Sequence, residues 1–166
     1  EVVLHETGHI LVAKHCGLLI RNVHLPALAS YADPNDKDFA GVEVSGALSD
    51  SNKLAYYLGG LFGEMSPYSD DYLRENSTIL YVSVRGALGD MKEAAKLRGP
   101  IAASIRNALV EWDRQQDSRR FLADFLSFSS TNLTYFRLQR DEHRKLAVEL
   151  YSQWENADFA AIDTIM

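Results

Sequence analysis

The sequence is poor in the features that mark several protein classes. Its single cysteine, Cys16, excludes an internal disulfide framework and a cysteine-rich zinc ribbon, and it is typical of a reducing compartment. No apolar run approaches the ~18 residues that a membrane span requires, and the N-terminal residues do not read as a signal peptide. Because the sequence has 17 Lys and Arg but 23 Asp and Glu, a surface that binds nucleic acid is not expected.

The sequence does contain enough apolar residues to fold. Of its 166 residues 46% are hydrophobic and 24% are charged, and the net charge is -6. The length fits a single domain, and the apolar fraction is too high for a disordered chain. We therefore expect a soluble globular protein of the cytoplasm.

The clearest pattern lies at the N-terminus. Residues 1–16 lack proline and are apolar on nearly every helical face, and Gly17 follows at the position of a left-handed C-cap, so a buried helix is predicted. Within this helix His5, Glu6 and His9 form an HExxH motif, whose histidines lie one turn apart and can reach one zinc ion. Burying these three side chains costs free energy unless they are paired or bind a metal.

The motif predicts a role for each of its members. We expect His5 and His9 to bind zinc, although imidazole and carboxylate ligands also accept other divalent ions. We expect Glu6 to take a proton from zinc-bound water, whose pKa the metal lowers towards 7. Glu6 acts as general base in that step. It is then expected to act as general acid and pass the proton to the leaving amine.

A catalytic zinc site needs a third protein ligand, and the helix itself does not supply one. His15 lies where the HExxHxxGxxH pattern has its third histidine, but Val12 replaces the glycine at which that pattern turns. In a continuous helix, His15 is ~9 Å and Cys16 is ~10 Å along the axis from His9. We therefore reject both as ligands and expect Cys16 to be a small buried hydrophobic residue.

A second helix is predicted over residues 53–65, after a capping segment at residues 49–51. It contains Gly59, Gly60 and Gly63, each of which weakens a helix by roughly 1 kcal/mol relative to alanine. Such a cluster indicates close packing against another backbone, for which the zinc helix is the candidate. A helix that breaks at Gly59 is the alternative.

Three acids further along the chain are candidates for the third ligand. Glu64, at the end of the second helix, is interpreted as a ligand, a partner of a zinc-bound histidine or a solvated residue. Asp90 follows Gly89 and opens a short helix, where it is either a ligand or simply the N-cap. Glu93 lies one turn further on. On spacing alone, Glu64, Asp90 and Glu93 are close to equal as candidates for the third ligand.

In the order and rough spacing of four blocks, residues 1–98 resemble the peptidase domain of FtsH-type AAA+ zinc proteases. The family's HEAGHA is similar to HETGHI at residues 5–10, and its next helix, LGGRAAEE, is similar to LGGLFGE at residues 58–64. A strand and a proline follow the zinc helix in the family, as in VHLP at residues 23–26. The family's ligand segment, TGASND, is similar to RGALGD at residues 85–90.

The resemblance implies a zinc metalloendopeptidase in which Asp90 is the third zinc ligand. It makes Glu64, Gly59 and Gly60 candidates for positions beside the ligands or in the substrate cleft. The chain departs from the family at Met65, where the family has a second acid, and at Arg85, which replaces the threonine of the ligand segment.

The fold class expected is α+β and mostly α-helical, with a small sheet beside the buried HExxH helix. Two short strands are predicted over residues 22–28 and 39–45. They form either an ordinary hairpin over the helical core or an edge that pairs with the substrate backbone. Residues 78–84 fit a third strand or a buried helix segment.

Residues 99–166 are expected to be helical and to pack on the peptidase-like core of residues 1–98 within a single domain. Pro100 suits the first turn of a helix, and residues 133–154 form another amphipathic stretch. His143 lies among the charged residues of that stretch, so we expect it to be exposed rather than metal-bound. The aromatic residues of this region fit a core, a homo-oligomer contact or a partner-protein contact.

We therefore expect a zinc-dependent metallopeptidase that hydrolyses peptide bonds through a metal-activated water. Because the sequence has no ATPase module, the expected activity is ATP-independent, on peptides or unfolded proteins. The alternative is a non-catalytic, zinc-stabilised interaction or adaptor domain, which the divergent residues 66–84 favour and the intact Glu6 disfavours. A metal-dependent hydrolase of another amide or ester is a third possibility.

Overall fold

The computed structural model describes residues 2–25, 40–115 and 138–155. Over these ranges the chain forms seven helices and one antiparallel sheet of two strands. None of the described helices combines the length and hydrophobicity that crossing a bilayer requires. In chain order the elements are α1 (Val2–His15), β1 (Leu19–His24), β2 (Gly41–Ser45), α2 (Asp50–Met65), α3 (Asp70–Glu75), α4 (Ser77–Gly86), α5 (Leu88–Ala95), α6 (Pro100–Gln115) and α7 (Arg140–Glu155).

The expected class, mostly α-helical with a small sheet, is confirmed over the described residues. Residues 78–84 lie in helix α4, so the alternative of a third strand is wrong. The first strand was predicted too late in the chain, since β1 begins at Leu19 and places Ile20 and Val23 in the core. The remainder of the predicted first strand, residues 26–28, lies outside the described residues.

Helix α1 ends at a glycine cap, as predicted. Gly17 has a φ of +67°, which glycine adopts without steric cost. Its N–H donates to the carbonyl of Lys14 at 3.1 Å, and the N–H of Leu18 donates to the carbonyl of Ala13 at 2.9 Å. This pair of bonds is a Schellman motif, and it turns the chain directly into β1.

Helices α1 and α2 cross with their backbones in direct contact. A Cβ atom on Gly8 would lie 2.2 Å from the carbonyl oxygen of Gly59, and one on Gly63 would lie 2.3 Å from that of Leu4. The expected role of the glycine cluster is therefore confirmed. Helix α2 continues to Met65, so a break at Gly59 is wrong.

Helix α1 lies between two apolar clusters, which explains why its sequence is apolar on nearly every face. Leu11 and Val12 pack with α2 and with buried residues of α3 to α6. Val3 and Ile10 face the other way and pack with the sheet and with α7. Cys16 packs against both clusters as a small apolar residue, but its side chain is half-buried rather than buried as expected.

The C-terminal helices pack on different parts of this core. Helix α6 begins at Pro100, as predicted. Its Arg106 side chain donates to the carbonyl of Ala95, the last residue of α5, at 2.5 Å and to that of Leu97 at 3.0 Å. Helix α7 packs along α1. The division into residues 1–98 and 99–166 stays a prediction, and residues 116–137 and 156–166 lie outside the described part.

The expectation that His143 is exposed is wrong. Its side chain is buried at 2% exposure. The charged neighbours belong to the solvent face of α7, but His143 shares the opposite face with Leu146, Ala147 and Leu150, which are all buried. These residues follow His143 at spacings of three, four and seven, which is the period of a helix face.

We predict that Gly63→Ala lowers the free energy of unfolding by about 2 kcal/mol, because the new Cβ atom forces α1 and α2 apart. Gly89→Ala is the matched control, since a Cβ atom there meets nothing within 4 Å. It is expected to leave the stability unchanged or to raise it by up to about 1 kcal/mol. Urea unfolding of both variants tests this, and equal stabilities would contradict the crossing described above.

Candidate metal centre

The structure brings together His5, His9 and Asp90, three residues predicted to bind the metal. Helix α1 directs both histidines to one point, where their Nε2 atoms are 3.1 Å apart. Asp90 Oδ2 reaches the same point from α5, 3.1 Å from His5 Nε2 and 3.4 Å from His9 Nε2. The ligand atoms of this group could hold a metal ion.

These separations can be tested against the geometry of a metal site. In a tetrahedral zinc site with ligands at about 2.0–2.1 Å, neighbouring ligand atoms are about 3.3 Å apart. The three distances between His5, His9 and Asp90 are 3.1, 3.1 and 3.4 Å. One imidazole nitrogen facing another at this distance requires a proton or a cation between them. The donor set therefore fits a divalent cation with three protein ligands.

Other protein groups orient both imidazole rings. His9 Nδ1 lies 2.8 Å from the carbonyl oxygen of Tyr56, which can only accept, so Nδ1 carries the hydrogen. His5 Nδ1 donates to Glu64 Oε1 at 2.7 Å. In each ring Nε2 is thereby left to face the shared point. Hydrogen bonds of this kind fix the tautomer and the orientation of a metal-binding histidine.

Of the three interpretations of Glu64, the structure supports a partner of a histidine. Its side chain is buried at 6% exposure, which excludes a solvated terminal residue, and it binds the far nitrogen of His5. Gly60 lies on the same helix, where a Cβ atom would be 2.3 Å from His5 Nε2. Gly60 therefore makes space for the His5 ring. Gly59 contacts Gly8 and belongs to the helix crossing.

Glu6 is buried beside this group, with 4% exposure. Its Oε2 atom has no hydrogen-bond partner among the described residues. Burial raises the pKa of the Glu6 carboxyl, and the neighbouring His9 and His5 oppose this effect. A buried oxygen without a protein partner costs free energy, which a water or substrate donor at the metal would offset.

In the metal-free chain, charge holds the group together. Burial opposes protonation of His5, but hydrogen bonds to Asp90 and Glu64 and the nearby charge of Glu6 outweigh it and raise the pKa of His5 to about 10. Burial also opposes ionisation of Asp90, but the hydrogen bond with His5 and the proximity of His9 hold the pKa of Asp90 well below its usual range. The metal-free group is therefore an ion pair with a proton at His5 Nε2.

The other candidates lie apart from this group. His15 is exposed, and neither His15 nor Cys16 belongs to it. Glu93 is exposed and forms an ion pair with Lys96, one turn away on the surface. The interpretation of Asp90 as an N-cap is wrong, since Ala87 holds that position and Asp90 is the third residue of α5.

Tyr56 is a residue of this site that the sequence reading missed. Besides its carbonyl bond to His9, its ring centre lies 5.2 Å from that of His9, and its hydroxyl donates to the carbonyl of Val42 on β2 at 2.5 Å. Burial raises the pKa of Tyr56, and so do the carboxylates of Asp90 and Glu6. A main-chain carbonyl leaves no signature in a sequence. Only the predicted packing of α2 on α1 indicated that a residue of α2 such as Tyr56 lies beside the histidines.

We predict that Glu64→Gln raises the Kd for Zn²⁺ about tenfold, because it removes the charge that orients and polarises His5. The glutamine keeps the shape of the side chain and an acceptor oxygen. Competition with a chromophoric chelator measures this Kd. Glu93→Gln removes an exposed carboxylate at the surface and is expected to leave it unchanged. Equal Kd values for wild type and Glu64→Gln would contradict the role of Glu64.

We also predict that metal binding releases a proton and tightens as the pH rises. Because the pKa of His5 in the metal-free chain is about 10, the ring is protonated at neutral pH and the ion must displace that proton. The affinity therefore increases with pH until about this value. Calorimetric titrations in two buffers of different ionisation enthalpy count the protons. Proton-independent binding would contradict the ion pair.

Comparison of the chain with protein-family models, curated proteins and solved structures found no match. A function therefore has to be argued from the site. The site consists of a group that could hold a metal ion, formed by His5, His9 and Asp90, with the buried carboxylate of Glu6 beside it. Two further groups, Glu64 and the carbonyl of Tyr56, orient the histidines.

Proposed function

We propose that the chain is a zinc-dependent metallopeptidase in which His5, His9 and Asp90 hold the ion. The observation that carries the proposal is the convergence of these ligand atoms from two helices, although His5 and Asp90 are 85 positions apart in the sequence. Glu6 lies beside them with a buried oxygen that has no partner among the described residues. A structural zinc site has no need of such a group, whereas a hydrolytic site requires a base.

The proposed mechanism assigns a task to each group. Zinc, when bound, supplies an acidified water and polarises the substrate carbonyl. Glu6 takes the proton from that water and delivers it to the leaving amine. Burial raises the pKa of Glu6 and so favours the uptake of the proton, while the neighbouring His9 and His5 lower that pKa and so favour its release. Asp90 balances part of the charge of the ion.

We further propose that the chain is a relative of the peptidase domain of FtsH-type proteases. The arrangement of elements supports this: an HExxH helix, two short strands, a glycine-containing helix crossing the first, and an aspartate near the start of a later helix. The proposed substrates are peptides and unfolded proteins. A chain that binds zinc without cleaving any peptide would instead be the interaction or adaptor domain.

We predict that Glu6→Gln keeps zinc binding but lowers kcat by at least about 100-fold, since glutamine fills the same volume and cannot accept the proton. The measurements are zinc content and cleavage of a fluorescence-quenched peptide library. Glu75→Gln, at an exposed position on α3, is the matched control and is expected to cleave at the wild-type rate. An unchanged rate of peptide cleavage in Glu6→Gln would contradict the mechanism.

A further inference from the structure

His143 is a buried polar residue that the proposed mechanism does not use. Its Nε2 atom lies 3.1 Å from the carbonyl oxygen of Leu4 and 3.0 Å from Thr7 Oγ1, both on helix α1. His143 lies on α7, 136 positions after Thr7 in the sequence. Burying an imidazole in an otherwise apolar contact costs free energy, which these bonds offset.

The directions of these hydrogen bonds follow from the donors available. The Leu4 carbonyl can only accept, so His143 Nε2 carries a hydrogen and donates. Burial lowers the pKa of His143, and its bond to the Leu4 carbonyl opposes this effect. The Thr7 hydroxyl donates to the carbonyl of Val3 at 2.8 Å and accepts from His143.

His143 contacts α1 on the side away from the metal ligands. Thr7 lies between His5 and His9 in sequence, and at about 100° per residue it points ~180° away from their mean direction. Thr7 is fully buried. A Cβ atom on Gly63 of α2 would lie 3.1 Å from His143 Nε2, so α1, α2 and α7 meet at this position.

Such a contact determines position more than it contributes stability. The apolar residues Leu146 and Leu150 also hold α7 against α1, but apolar packing tolerates small rotations and shifts. A buried polar pair has its full energy in one arrangement only. Rotation of α1 would move His5 and His9 relative to Asp90, and metal ligands tolerate only a few tenths of an ångström.

We propose that His143 is a positioning residue of the metal centre, which holds α1 from behind through Leu4 and Thr7 and so couples metal binding to the docking of α7. The inference rests on the metal site of the proposed function, but not on its hydrolytic activity. Because coupling is reciprocal, an ion held by His5 and His9 also stabilises the docked α7.

The first test is the binding of Co²⁺ by His143→Leu in the full chain, followed by visible absorption. Leucine keeps an apolar contact but cannot donate, so we expect the Kd to rise about tenfold and the absorption spectrum to change. His143→Gln retains a donor and is expected to recover most of the affinity. Thr7→Val, which alters no residue of α7, is expected to raise the Kd several-fold.

A matched control separates positioning from general loosening of α7. Leu150→Ala removes buried packing from the same helix and is expected to lower the melting temperature at least as much as His143→Leu does. Its Kd for Co²⁺ is expected to stay within twofold of the wild-type value. Its absorption spectrum is expected to show no shift. A Kd raised equally in both variants would overturn the specific role of His143.

The reciprocal test is hydrogen exchange of the α7 amides with and without Zn²⁺. We expect the ion to slow their exchange in the wild type and to have no effect in His143→Leu. Wild-type Co²⁺ affinity in His143→Leu would overturn this inference and leave the peptidase proposal intact. A wild-type chain that bound no Co²⁺ would overturn both. Loss of hydrolysis in Glu6→Gln bears only on the peptidase proposal.

Discussion

The backbone contact between α1 and α2 is the constraint on which the candidate site depends. Without side chains at Gly8, Gly59 and Gly63, the two helices come close enough for one residue of α2 to accept from His9 and another to accept from His5. Because the orienting groups lie on a helix that packs directly against α1, the imidazoles are oriented before any ion arrives. Such preorganisation lowers the cost of binding.

The charges of the buried side chains explain why polar groups lie beside the crossing of α1 and α2. Three carboxylates, Glu6, Glu64 and Asp90, lie around His5, and two of the three are more than nine-tenths buried. In the metal-free chain the proton on His5 offsets only one negative charge. A divalent cation offsets two, and it satisfies the histidine nitrogens at the same time. The cluster is therefore better suited to an ion than to an apolar core.

Local patterns predicted much of the fold and part of the site. The HExxH spacing, the cap at Gly17 and the glycines of α2 depend on neighbours in sequence, and each was found where expected. The third ligand depends on a contact across 85 residues, so spacing left three acids equal and only the family resemblance favoured Asp90. His143 was misjudged because the charges around it concealed the apolar face that it shares.

The most direct test of the metal centre is the position of the ion in crystals of zinc-loaded protein, located by anomalous scattering at the zinc absorption edge. The account predicts one strong peak about 2 Å from His5 Nε2, His9 Nε2 and a carboxylate oxygen of Asp90. A protein that takes up no zinc, or a peak remote from Asp90, would contradict it.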